Sequence, residues 1–506
     1  MTGVAWSDEE VGGWWDGGLA DEAGGPHWGG RVGKRAAGAR PGTLQAVVVF
    51  TRHGDRTPVH ALPEDDNEWP QGRGQLTGRG MAQHVALGQR LRANYSALLA
   101  METYSVFDVY ARATAVDRTI QSAQALLAGL FPAGTGPADS PERVQYVPIH
   151  SRPVVYDTLL RGYNNCPEFD ALEKARQSSP EFVAKAADVA TLAETLAELA
   201  GEEVTLGKWY LIYDPLFCAW SHGKPLLNGK VTLPMLDDII ATADWVTAHT
   251  FSHDKAGKLA GGNMVATLRD LFQAYVAPPP PPPAAASEGF TASPSPSIGP
   301  GELPADLRKF YLLSAHDTTL ASLLAALPVT EAGGIPPYAS SVVFELHITD
   351  TGAAYVSAFY NDAPLVFSGG ICVSAASVAL DTRSDACIVP LDAFLDATRD
   401  SFYDDWDAAC GRETASSPSP APAAGPTDAG TVAIILLLVC GVIGCVAGGG
   451  YWYHRRGSSR YHHMLGDDLF TPDALAVLEP GGRRGAGSCS SCSSDGHNSF
   501  APGDEL

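Results

Sequence analysis

The chain has 506 residues, with 57 acidic against 34 basic side chains and a formal net charge of −23. That length accommodates two or three domains. The acidic excess argues against a nucleic-acid partner, because a phosphate backbone requires a basic face, and it means that any anion site must rest on a local cluster of cations.

Residues 1–43 are Gly-rich, with Trp6, Trp14, Trp15 and Trp28 scattered among acids, and they show no helical or strand period. They read as a flexible leader. They contain no apolar core of the roughly 7–15 residues that a secretory signal needs. Two explanations fit: a later apolar span acts as the signal, or this N-terminus is not the natural start, which is the favoured reading.

Leu44–Phe50 is an apolar run that includes Val47, Val48, Val49 and Phe50, the composition of a strand covered on both faces. It runs into Thr-Arg-His-Gly-Asp-Arg-Thr-Pro, Thr51–Pro58. An imidazole, His53, thus stands between two guanidinium groups, Arg52 and Arg56. Arginines hold phosphate through bidentate charge-assisted bonds, and a histidine held beside it can attack phosphorus. Asn94-Tyr95-Ser96 is an N-glycosylation sequon, with Asn94 as the acceptor.

A second apolar run, Val106–Tyr110, leads to Arg112 and a helical pattern over Arg118–Leu130. Residues 168–200 are rich in Ala, Glu and Leu and read as helices of a cap spanning about residues 160–265. Six consecutive prolines, Pro278–Pro283, begin a Pro-rich insertion over 277–301. It reads as an inert polyproline II segment rather than an SH3-type docking motif. A third apolar run, Phe310–Ala315, leads to His316 and Asp317 and a helical pattern over Thr318–Leu327.

Strands alternating with helices predict an α/β fold, a three-layer sandwich around a mostly parallel sheet with a smaller helical cap. In open α/β sheets ligands bind beyond the carboxyl ends of the strands. Side-by-side strands would therefore gather Arg52, His53, Arg56, Arg112, His316 and Asp317. Each has a plainer reading on its own: Asp317 caps a helix, His316 is a hydrogen-bonded core histidine, and Arg112 is an ion-pair partner. The combination favours a site.

Residues 411–430 form a Ser/Pro/Ala stalk. Thr431–Gly450 carries no charge and is followed by Tyr451, Trp452, Tyr453 and then Arg455, Arg456 and Arg460. About 20 apolar residues span a bilayer, and flanking positive charge marks the cytosolic side. Residues 431–453 are expected to cross a membrane once, with the catalytic part lumenal or extracellular, in a lysosome-like compartment or at the cell surface. Residues 454–506 form a polar cytoplasmic tail. Within it Tyr461–Met464 fits a Tyr-x-x-apolar signal for a sorting adaptor, and the terminal Gly-Asp-Glu-Leu lies where an ER-retention receptor cannot read it. Cys489 and Cys492 in the serine-rich tail suit disorder or acylation better than redox work.

Six blocks carry a specific likeness: Thr51–Pro58, Gln75–Gly80 (QLTGRG), Tyr110–Thr119 (YARATAVDRT), Tyr213–Cys218 (YDPLFC), Leu312–Leu320 (LLSAHDTTL) and Pro336–Ser340 (PPYAS). In order and type they resemble the histidine acid phosphatases, the second branch of the histidine phosphatase superfamily, over residues 44–410. The resemblance implies His53 as the nucleophile that becomes a phosphohistidine, and Asp317 as the proton donor, which would have to carry a proton. It implies Arg52, Arg56, Arg112 and His316 as phosphate-binding groups, with no metal or other cofactor. It further implies disulfides Cys166–Cys410 and Cys372–Cys387. Family members bond the cysteine at position 218 to one at position 341; Ser341 stands there, so Cys218 is expected to be a free, buried thiol. Disulfides suit a lumenal or extracellular compartment.

The implied substrate is a small phosphate monoester. The nearest rival is a phytase-like or inositol-polyphosphate phosphatase, which would need further cations around the pocket. A phosphohistidine mutase fits the paired motifs less well. From another class, a catalytically silent membrane receptor for phosphorylated ligands would keep the same pocket. A homodimer partner is left open.

Overall fold

The computed structural model describes residues 44–412, apart from 252–253, 278–296, 299–302, 305, 330–332, 375–377, 379 and 381–385. The chain divides into two units, residues 1–416 and 417–506, and the second lies wholly outside the described residues. So do the leader, nearly all of the Pro-rich insertion, the stalk, the apolar span and the tail signals. Among the described residues no helix is long and apolar enough to cross a membrane.

The central sheet is built on β1 (Leu44–Arg52), whose side chains alternate between two cores. Ala46, Val48 and Phe50 join one apolar cluster with Met264, Leu268, Leu320 and Leu323; Val47 and Val49 join another with Leu87, Leu91, Leu126 and Leu130. Period-two alternation with both faces apolar requires helices on both sides. They are α1 (Gly78–Tyr95) and α2 (Asp117–Leu130) on one face. A long helix over Asp254–Val276 and a shorter one over Asp317–Ala326 cover the other.

β1 pairs in parallel with the strand Phe310–Ala315, which pairs in parallel with Val109–Ala113, which pairs in parallel with Ile149–His150. On its other side β1 pairs antiparallel with Ser341–Ile348, followed by antiparallel Ala354–Tyr360 and Ile388–Pro390. Ala363–Pro364 adds a further antiparallel pairing with Ala354–Tyr360, so among the described residues three strand pairings are parallel and four antiparallel, a correction to the mostly parallel expectation. Ser341–Ile348 and Ala354–Tyr360 are joined by a short turn, closed by Thr349 and Ala353. Such a connection permits only antiparallel neighbours.

The second strand starts later than its apolar run. Val106 and Phe107 are exposed, and the ladder begins at Val109. The run reads as strand because it is apolar, but its first half is a turn. Residues 167–251 are helical without a strand: Pro167–Arg176, Pro180–Asp188, Ala190–Ala200, Tyr210–Ser221 and Leu233–Phe251. Most pack around their own core of Phe182, Leu196, Trp209, Ile212, Leu216 and Ile239, into which Leu62 is inserted. Cys166 is bonded to Cys410, and Cys372 to Cys387, while Cys218 is free and buried. Asn94 lies half-buried in the last turn of α1.

Candidate active site

The three strands that end in charge are neighbours. Arg52 is in register with Ala315, and Ala113 with Ser314. Their carboxyl ends bring Arg52, His53, Arg112, His316 and Asp317 to one edge of the sheet, with Arg56 on the loop that follows β1. All but Asp317 are buried; its side chain keeps 26% exposure.

The loop after β1 is held by close backbone approach. A Cβ on Gly54 would strike the backbone of Gly80, and one on Gly80 would strike that of Asp55. Glycine is required at both positions for that reason. Thr77 caps α1 by accepting from the Gly80 N–H at 3.1 Å, and its hydroxyl donates to Asp55 Oδ1 at 2.5 Å. His84, from the same helix, is fully buried and donates through Nε2 to the Arg52 carbonyl at 3.1 Å.

The Nδ1–H of His53 donates to the Gly54 carbonyl at 2.9 Å. This fixes the tautomer and leaves the Nε2 lone pair as the nucleophilic one. Burial, first, and then the charges of Arg118, Arg52 and Arg56 hold the imidazole pKa well below its ordinary value of 6.5. His316 bonds Thr114 Oγ1 through Nε2 at 2.9 Å, and Arg118 Nη2 lies 3.5 Å from its Nδ1. Burial and the charges of Arg118 and Arg161 push its pKa down as well.

Each of the three predicted arginines faces a carboxylate. Arg52 Nη2 lies 2.9 Å from Asp317 Oδ2, Arg56 Nη1 lies 2.6 Å from Asp214 Oδ1, and Arg112 Nη2 lies 2.5 Å from Asp157 Oδ1. Arg52 also donates to the Pro336 carbonyl and lies 4.3 Å from the Tyr338 ring centroid. Asp317 serves two purposes: its Oδ1 accepts from the Thr318 N–H at 2.7 Å at the helix start, and its Oδ2 meets Arg52. Burial opposes ionisation of Asp317, but Arg52, Arg56 and His316 prevail and bring its pKa down to about 2. The two guanidinium groups thus favour the ionised carboxyl, so the proton expected on Asp317 would have to be acquired during the reaction.

Sequence reasoning missed Asp157, Asp214, Arg118, Arg161, Tyr338 and His84. Arg118, Asp214 and Tyr338 lie inside motif blocks, so a signal was present. Asp157, Arg161 and His84 carried none. Cys218 Sγ lies 3.6 Å from Arg56 Nη1 and 3.5 Å from the Tyr338 hydroxyl. The free thiol therefore packs against the site.

The signature of the histidine phosphatase superfamily (branch 2) matches residues 43–224 and 298–361. The chain is 33% identical over 415 residues to the lysosomal acid phosphatase of Bos taurus, covering 79% of this chain and 85% of that one. The chain belongs to the histidine phosphatase superfamily, branch 2. To the prostatic acid phosphatase of Homo sapiens this histidine phosphatase is 31% identical over 382 residues, 72% of this chain and 88% of that one. Among solved structures it shares its fold with the Hafnia alvei phytase in complex with tartrate, at a TM-score of 0.52 and 17% identity, over 73% of this chain and 98% of that chain.

Proposed function

We propose that this histidine phosphatase is an acid phosphatase that hydrolyses phosphate monoesters through a phosphohistidine on His53. The observation that carries the reading is the buried His53, its Nε2 lone pair left free by the Nδ1 bond to Gly54, close to Arg52, Arg56 and His316, with Arg112 at the same end of the sheet.

The chemistry follows from the charges. A monoester's second phosphate pKa is about 6, so in acid it arrives as a monoanion carrying one proton. That proton passes to the Asp317 carboxylate as the phosphoryl group takes over Arg52. His53 Nε2 forms the N–P bond while the P–O bond to the alcohol breaks, and Asp317 delivers the proton to the departing oxygen. The guanidinium groups neutralise the equatorial oxygens of the loose transition state. In the second step water attacks phosphorus, Asp317 takes its proton, and the N–P bond breaks to return free His53 and inorganic phosphate.

The same reading places a helical cap over about 160–265, a stalk at 411–430, a membrane helix at 431–453 and a tail bearing the Tyr461–Met464 sorting signal, with the catalytic part lumenal. Likeness to lysosomal acid phosphatases supports that compartment. Asn94 is the proposed glycan acceptor.

The test is alkaline quench of the enzyme during turnover of a 32P-labelled monoester. Label should appear on His53 as an acid-labile, base-stable adduct. Turnover without such an adduct would refute the covalent route, and absence of turnover from acid to neutral pH would favour the silent receptor.

A further inference from the structure

Resting on the phosphatase reading, we propose that Arg161, with Arg118, forms an anion subsite for the alcohol part of the substrate, so that the preferred substrate is a phosphate monoester whose alcohol carries a second anionic group, a carboxylate or another phosphate.

The argument begins with pairing. Arg52, Arg56 and Arg112 each meet an aspartate at 2.5–2.9 Å. Arg118 and Arg161 meet no carboxylate among the described residues, and the Nε of each is buried without a hydrogen-bond partner. Five guanidinium groups against three carboxylates leave a net charge of +2 with both histidines neutral. A monoester monoanion offsets one of these. The other remains, in a protein whose overall charge of −23 repels anions at long range.

The backbone fixes where Arg161 stands. Its N–H donates to the Asp157 carbonyl at 3.0 Å. The preceding Leu160 donates its N–H to Asp157 Oδ1 at 3.1 Å and accepts at its carbonyl from Thr319 Oγ1 at 2.7 Å. The turn is thus bolted both to the partner of Arg112 and to the first turn of the helix that starts at Asp317. The Arg161 guanidinium lies 5.5 Å from the Tyr163 ring centroid, and the Tyr163 hydroxyl bonds Thr318 Oγ1 at 2.6 Å, one residue from Asp317. Asp317 protonates the departing oxygen, so this is the side on which the alcohol leaves. Arg118, beside His316, bounds the same space. Arg118 has its pKa lowered to about 10, first by burial and then by Arg56, with Asp317 and Asp214 opposing and Arg161 adding a smaller downward push.

A purely packing role for Arg161, as a cation over Tyr163, would leave substrate preference unmoved. The test compares phenyl phosphate, 4-carboxyphenyl phosphate and 1,4-phenylene bisphosphate at about pH 5.5, where an aromatic carboxyl is ionised. The wild type should favour one or both anionic esters over phenyl phosphate by roughly tenfold in kcat/KM, the scale of one partly desolvated charge pair. Which anionic ester wins identifies the second group. Arg161→Gln should bring that ratio close to one, and Arg161→Lys should restore part of it. A folding defect lowers all three rates together and leaves the ratio intact. Turnover of all three esters without preference, or a ratio unchanged in Arg161→Gln, overturns the subsite while leaving the phosphatase reading standing. No turnover of phenyl phosphate by the wild type overturns both.

Discussion

Arg52 and Asp317 pair across 2.9 Å, so the proposed proton donor neutralises one of the proposed phosphate ligands. A phosphoryl group can reach Arg52 fully only by displacing that carboxylate. Asp317→Asn should therefore bind inorganic phosphate more tightly, because a negative charge is removed from beside it, while turnover falls by about 10²–10⁴, the usual contribution of a general acid. An alkyl phosphate should be slowed more than p-nitrophenyl phosphate, since the poorer leaving group depends on the proton. Equal slowing, together with weaker phosphate inhibition, would refute the assignment.

Activity against pH should show a wide acid window. His53 stays neutral well below pH 6.5, and Asp317 stays ionised above a pKa of about 2. The upper edge is set by the substrate, whose monoanion gives way to dianion near a pKa of about 6. An ester with a lower second pKa should shift the upper limb of the kcat/KM profile down by the same amount. An upper limb that ignores the ester's own pKa would rule out the substrate as the source of the proton.

The buried pair Arg112–Asp157 predicts a stability effect distinct from catalysis. Both side chains are essentially inaccessible, and their atoms lie 2.5 Å apart. Removing one partner strands the other charge, at about 3–5 kcal/mol for a buried pair. Asp157→Ala should lower the urea unfolding free energy by that order, and a loss under about 1 kcal/mol would show that Arg112 is neutralised by other means.

The six residues expected from sequence stand together because each lies at or just beyond the end of a strand, where a short motif fixes both backbone and side chain. Their supporting residues were less legible for a physical reason. Asp214 reaches Arg56 from a helix 158 positions on, and Asp157 and Arg161 come from an irregular turn with no periodicity to read. His84 occupies an ordinary helical position on the buried face of α1, where nothing local distinguishes a hydrogen-bonding histidine from packing. The antiparallel half of the sheet was missed because Val342–Ile348 and Tyr355–Tyr360 carry Glu345, His347 and Ser357 among their apolar residues, and strand direction is set by the turn between them.

Cys218 should be inert while the protein is folded. Burial lifts its thiol pKa to about 12, so almost no thiolate is present at neutral pH. Alkylation followed by peptide mapping should leave Cys218 unmodified in the native enzyme and label it after denaturation without reductant. A native label at Cys218, or its recovery in a disulfide, would contradict both its burial and its freedom.

His84 links stability to acid in a measurable direction. It is fully buried, and desolvation brings its pKa from 6.5 to about 4 against the opposing bond to the Arg52 carbonyl. The unfolded chain then binds a proton that the folded one does not take up until about pH 4, so stability falls as pH drops from 6.5 towards 4. The single-site limit is about 3 kcal/mol. His84→Gln keeps a donor for the Arg52 carbonyl but cannot titrate, so its unfolding free energy should fall less steeply than wild type between those two values. His53 and His316 carry depressed pKa values of their own, so part of the slope remains in the variant. Identical pH slopes for the two proteins would place a protonated imidazole in the folded core at position 84.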